Sequence, residues 1–146
     1  MKSIYRKNTY EYKMELYQKI INAILLILTF ILCVLCMPNV EAKTYTKKQC
    51  KQYAYEQVIK NKWTITDYNN LVKLWQKESG WNAKARNKKS GSCGIPQSLP
   101  CSKMKSEGKD YKINCKTQIR WGLKYIKRRY KTPTRAWQHF QRKRWY

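Results

Sequence analysis

Glu78 is the residue best placed to do chemistry. It stands in the stretch Lys77-Glu78-Ser79-Gly80-Trp81-Asn82, seven residues after Leu71 and three after Trp75. A helix through this segment carries it on the apolar face, close to a glycine stop. Burial against aromatic surface disfavours a charged carboxylate and raises its pKa, the property a general acid needs near neutral pH. The rival reading is a glutamate paired with one of the many cations at a helix end. Gln97 offers an amide donor and acceptor beside Gly94, which permits close backbone approach; it could equally bond its own loop. Tyr125 stands one position off an apolar helix stripe, so its hydroxyl could reach toward Glu78 or simply pack at the surface. Trp81 and Trp137 are flat apolar surfaces suited either to a ligand ring or to burial. His139, the single histidine, has no nucleophile or orienting acid beside it and reads as an ordinary ring.

These residues must be positioned by a small unit. The chain has 146 residues, room for one domain once the N-terminus is set aside. Residues 20–37 are almost uninterruptedly apolar and follow a net basic segment, with Val40-Glu41-Ala42 offering small residues for cleavage after Ala42. A signal peptide or a membrane anchor is therefore expected over residues 1–42, the anchor being an uncleaved form of a run that approaches bilayer length. Either one puts residues 43–146 outside the cytoplasm, secreted or held at the cell envelope.

Cysteine usage agrees with that compartment. Cys50, Cys93, Cys101 and Cys115 lie in the exported part, an even set that suits two disulfides in an oxidising environment. Three connectivities are open; the pairing favoured is Cys93 with Cys101, closing a short loop, and Cys50 with Cys115, tying an early helix to a later one. No Cys-x-x-Cys pair occurs there, so neither zinc nor any other metal is expected, and no cofactor. From Lys43 onward the chain carries 27 lysines and arginines against five acids, a net of +22. That field attracts anionic polymers or lipid, or it merely keeps the domain soluble; export makes nucleic acid the least favoured partner.

Four helical stretches cover most of the exported part: Thr46 to Lys60, with Thr46 as N-cap; Thr66 to Ser79, ended by Gly80; a helix capped by Asn114 with the stripe Ile119, Gly122, Leu123, Ile126 and Tyr130; and Thr134 to Gln141 after Pro133. A loop spans Asn82 to Gly94, with a short helical piece at Ser102 to Lys105. Strand-like alternation is nearly absent, so a small, mainly α domain without repeats is expected.

The order of motifs resembles the lysozyme-like lytic transglycosylase domain (goose-type/SLT), in its short secreted form, over roughly Leu71 to Tyr146. Glu78-Ser79 resembles the family's catalytic pair, and Ser90-Gly91-Ser92-Cys93-Gly94-Ile95-Pro96-Gln97 its Gly-Leu/Ile-x-Gln loop. The helix after Asn114, with Gly122-Leu123-Lys124-Tyr125-Ile126, resembles its Gly-x-x-Tyr-Ile/Leu element, and Ala136-Trp137 with Trp145-Tyr146 the closing segment. The resemblance implies a peptidoglycan substrate, with Glu78 catalytic and Ser79, Gln97, Tyr125, Trp81 and Trp137 binding sugar. Cys93 and Cys101 depart from the pattern, bracketing the loop where relatives need no cysteine.

Glycosidases that use water hold two carboxyl groups about 5 to 9.5 Å apart. Asp67 is eleven residues before Glu78, roughly 16 Å along one helix, and nothing in the pattern brings Glu107 or Asp110 near. A single-acid reaction is expected, and the resemblance implies which one: cleavage of the MurNAc-GlcNAc bond by Glu78, acting as acid and then base, to a 1,6-anhydro end. The alternatives are a hydrolytic muramidase on the same fold, or a non-catalytic cationic protein that binds wall or membrane. A monomer is expected.

Overall fold

The computed structural model describes residues 2–35 and 44–146. The proposed cleavage point after Ala42, and Cys36, lie outside the described residues. The chain falls into two compact units, Met1–Glu41 and Ala42–Tyr146. In the first, helix α1 (Lys2–Leu35) includes the stretch Tyr10–Leu35, whose most apolar 18 residues have mean hydropathy 2.3. At 1.5 Å per residue that 18-residue run is about 27 Å long, close to a hydrocarbon core of about 30 Å. It is compatible with either a signal or an anchor, and so with a place outside the cytoplasm.

The second unit is all-helical among the described residues, with only isolated antiparallel bridges at Arg86–Cys93 and Cys93–Ser98. Helix α2 (Lys47–Lys60) starts at a capping box: Gln49 N–H donates to the Thr46 hydroxyl at 3.2 Å, and Thr46 N–H donates to Gln49 Oε1 at 2.9 Å. Helix α3 (Ile65–Ser79) repeats the device with Thr64 and Asp67, one residue earlier than the periodicity alone suggests. Asn114 caps α4 (Cys115–Tyr130), and Thr132 with Pro133 opens α5 (Pro133–Lys143). A 3₁₀ segment over Cys101–Glu107 is longer than the short piece expected between Ser102 and Lys105.

The apolar stripes of these helices meet in one core. Ala54 and Val58 from α2, Leu71, Leu74 and Trp75 from α3, and Ile119, Leu123 and Ile126 from α4 are all buried. Each large side chain removed from water contributes roughly 1.5–3 kcal/mol. Gly122 lets α4 approach closely, because a Cβ there would lie 2.7 Å from Trp75 Cζ2 and 3.0 Å from Pro96 Cβ. Cys50 pairs with Cys115, fastening α2 to the start of α4, and Cys93 pairs with Cys101, so both expected bonds are present. Cys33 of α1 is a free, exposed thiol.

Candidate active site

Glu78 is the penultimate residue of α3. The helix stops because Gly80 turns left-handed (φ 58°) and Trp81 follows in the same region (φ 61°), their N–H groups donating to Gln76 O at 3.1 Å and Trp75 O at 3.4 Å. Two consecutive left-handed residues turn the chain back on itself. Trp81 thereby lands beneath its own helix: it is 1% exposed, meets Trp75 edge to face at 5.3 Å, and donates from Nε1 to Val72 O at 3.2 Å. This speaks against the expectation of Trp81 as a sugar-binding surface: a ring this deeply buried, with Lys51 Nζ 5.7 Å over it, has no face left for a ligand.

Glu78 itself is half-buried and makes no hydrogen bond or ion pair with any described residue. The rival reading of a salt-bridged helix-end glutamate is thus set aside, although the domain is crowded with cations. Burial pushes the Glu78 carboxyl up to about 7. The other four acids of the domain are engaged. Glu56 accepts from Gln52, and Glu107 pairs with Lys124 at 2.8 Å and Arg120 at 3.8 Å. Asp67 is 6% exposed, and burial alone would raise its pKa, but hydrogen bonds from Thr134 and Thr64 outweigh that and hold it below the usual value. Asp110 is treated the same way by Thr117 and Asn114, whose bonds overcome a burial penalty. One carboxyl is poised to carry a proton near neutral pH, and the rest are structural.

The wall beside Glu78 is a loop held by side chains from three directions. Ser79 donates its hydroxyl to Ile95 O at 2.9 Å, so the proton of this expected sugar-binding group is spent on the loop, leaving only its lone pairs. Gln118, fully buried on α4, accepts from Ile95 N–H at 2.8 Å and donates to Ala83 O and Tyr111 O at 2.9 and 2.8 Å. Gly94 (φ 76°) makes room for it, since a Cβ there would lie 2.7 Å from the Gln118 amide. Tyr146 closes the third side, accepting from Trp75 Nε1 at 2.8 Å and donating to Pro96 O at 3.0 Å. Its hydroxyl is raised well above the ordinary tyrosine value, first by burial and next by the Glu78 charge, which places the two groups in one electrostatic neighbourhood.

Gln97, at φ 49°, bonds its own loop, donating to Gly94 O at 2.9 Å and accepting from the Ser92 hydroxyl at 2.8 Å. Tyr125 stacks on Trp121 at 5.4 Å and meets Tyr146 edge to face at 5.8 Å, joining the aromatic group that borders Glu78 through Tyr146. Trp137 stacks on Phe140 within α5, half-buried. His139 packs against Trp145 at 4.5 Å and Tyr130 at 5.2 Å and forms no hydrogen bond through its buried Nε2. Gln118 and Tyr146 are the two residues whose part in this site the sequence did not disclose. Among the described residues no group of three or more His, Cys, Asp or Glu could hold a metal.

The described domain is all-helical, with one isolated carboxyl at a helix end. The model of the transglycosylase SLT domain matches residues 54–141, and the chain belongs to that family, whose members act on peptidoglycan as lytic transglycosylases. No curated protein and no solved structure matches the chain. The family match ends before Tyr146, so the tyrosine that clamps the Glu78 wall lies beyond the matched segment.

Proposed function

We propose that the domain cleaves the β-1,4 bond between MurNAc and GlcNAc as a lytic transglycosylase, with Glu78 as its one acid and base. The observation that supports this best is the isolation of Glu78: half-buried, unpaired and raised to about 7, while the other four acids of the domain are occupied elsewhere. Protonated Glu78 gives its proton to the glycosidic oxygen, which leaves as the GlcNAc hydroxyl, and an oxocarbenium-like centre forms at C1 of the muramic acid. The Glu78 carboxylate then takes the proton from that sugar's own 6-hydroxyl, whose oxygen bonds to C1. A 1,6-anhydro end results, Glu78 is protonated again, and no water is consumed.

Tyr125 and Trp137 are the proposed sugar contacts, with Gln97 and Ser79 shaping the loop and offering acceptor lone pairs. Activity is expected to fall about tenfold per pH unit above 7, as the acid form of Glu78 is titrated away. The test is digestion of purified peptidoglycan by the wild type and by Glu78→Gln, read by mass spectrometry. Anhydro-muropeptides from the wild type and none from the variant are expected. Ends carrying added water would make the enzyme a muramidase, and wall lysis undiminished in Glu78→Gln would leave only a cationic binding protein.

A further inference from the structure

The proposed reaction does not use the most cationic part of the molecule. Between Lys43 and Ile119 the chain has 16 lysines and one arginine, whereas between Arg120 and Tyr146 it has six arginines and four lysines. No aspartate or glutamate occurs after Asp110. Solubility requires charge, not guanidinium, so this shift from lysine to arginine calls for a separate explanation. Arginine differs in presenting a rigid fork of donors that fits phosphate bidentately.

Three of the six arginines, Arg129, Arg135 and Arg142, line a pocket of about 470 Å³ between the end of α4 and one face of α5. Arg135, Gln138, His139 and Arg142 follow i, i+3, i+4, i+7 along α5, and Arg129 and Lys131 face them from α4 and the residue after it. Arg129 is held in place, its guanidinium 5.2 Å from the Trp145 ring and 5.8 Å from that of Tyr130. The two ion pairs among the described residues both go to Glu107, so none of the four pocket cations meets a carboxylate. Cations near a helix C-terminus are commonly explained by the carbonyl end of the dipole, which covers Arg129 and Arg142. That explanation fails for Arg135, which sits in the first turn of α5, where a positive charge is unfavourable. The nearest acid at that helix start, Asp67, is engaged by Thr134 and forms no ion pair with Arg135.

We infer that this pocket binds the phosphodiester groups of a soluble polyol-phosphate polymer. Four uncompensated cations in a concave site match a multiply charged chain better than they match a single carboxylate. A lipid surface fits less well, because Trp145 is the one large exposed apolar side chain beside the pocket, too little for insertion among headgroups. The lining does not include Glu78; Tyr130 lines the pocket, and its ring lies 6.1 Å from that of Tyr146, which borders Glu78.

The test measures binding of fluorescently labelled poly(glycerol phosphate) to the full chain in nonionic detergent at about 150 mM salt, where diffuse surface attraction is largely screened. Charge-assisted bonds predict about a tenfold loss per arginine removed, hence about a hundredfold for Arg135→Gln/Arg142→Gln. Arg135→Lys/Arg142→Lys, which keeps the charge and protects against misfolding of the first variant, is expected to lose about tenfold. Lys88→Gln/Lys89→Gln, on the loop after α3, is expected to lose about twofold or less, and all variants should digest polymer-free peptidoglycan at the wild-type rate. Equal losses in the loop and pocket variants would overturn the inference, as would wild-type binding by the lysine variant. Tighter pocket-dependent binding to phosphatidylglycerol vesicles or to duplex DNA would overturn the choice of ligand.

Discussion

At the scale of single residues, Glu78 is a group that the fold would be better off without. Glu78 is expected to ionise near pH 7 in the folded domain but near 4.5 in the unfolded chain. Between those values the folded state holds the proton more tightly, so stability is full below pH 4.5 and declines as pH rises to 7. Glu78→Gln escapes this decline. The variant should be more stable than the wild type by about 1–2 kcal/mol at pH 8, allowing for screening of a half-open group, and equal to it at pH 4, as thermal unfolding at the two pH values will show. Tyr146→Phe should do the opposite, orphaning Trp75 Nε1 and Pro96 O at a cost of about 2–3 kcal/mol and reducing turnover through a loosened wall. Unchanged melting and turnover would show that the hydroxyl is not needed. The difference in legibility between these two residues is physical. Glu78 was readable because its partners Leu71 and Trp75 are on the same helix; Tyr146 was not, because Trp75 lies 71 residues away and no local pattern encodes that bond. Trp81 misled for a related reason: nothing in Gly80-Trp81 announces that two successive left-handed residues bury the indole.

At the scale of elements, the helix starts and stops were the most legible features. Thr46, Asn114, Pro133 and Gly80 each act through a bond or a dihedral preference within a few residues, so the sequence carries them openly. What it concealed is how one cap serves two helices. Asp67 closes the capping box of α3 through Oδ2 and accepts from Thr134 N–H at 3.2 Å and hydroxyl at 2.7 Å through Oδ1, joining the starts of α3 and α5. Asp67→Ala should therefore cost about 3 kcal/mol, more than a single cap, by denaturant unfolding. The Asp67 pKa is lowered in the folded domain, so its contribution is present above 3.8 and is lost as pH falls through the lower folded value. A loss below 1 kcal/mol in the variant would show the bridge to be idle.

For the molecule as a whole, fold class was legible because four amphipathic stretches without strand alternation leave few other ways to bury their faces. The seating of the Trp75 ring against α4 was not, since it depends on a fit between Gly122 and the edge of that ring that only the assembled structure displays. The two disulfides bear on stability at this scale. In the chain-entropy account the Cys50–Cys115 bond, closing 65 residues, is worth roughly 4 kcal/mol, and the Cys93–Cys101 bond, closing eight, roughly 2.5 kcal/mol. Cys50→Ser/Cys115→Ser should accordingly lower the melting temperature by more than Cys93→Ser/Cys101→Ser, and calorimetry of the two pairs will rank them.

The Cys93–Cys101 bond has a consequence in time as well as in energy. It spans Gly94 through Pro100, the loop whose Ile95 and Pro96 carbonyls accept from Ser79 and Tyr146. In the proposed export route, cellular thiols keep that clasp open before translocation, so the proposed activity would have an unfinished wall inside its producer. Under that proposal oxidation on arrival completes the loop, so the place where it is finished and the place where its substrate lies are made to coincide by two cysteines.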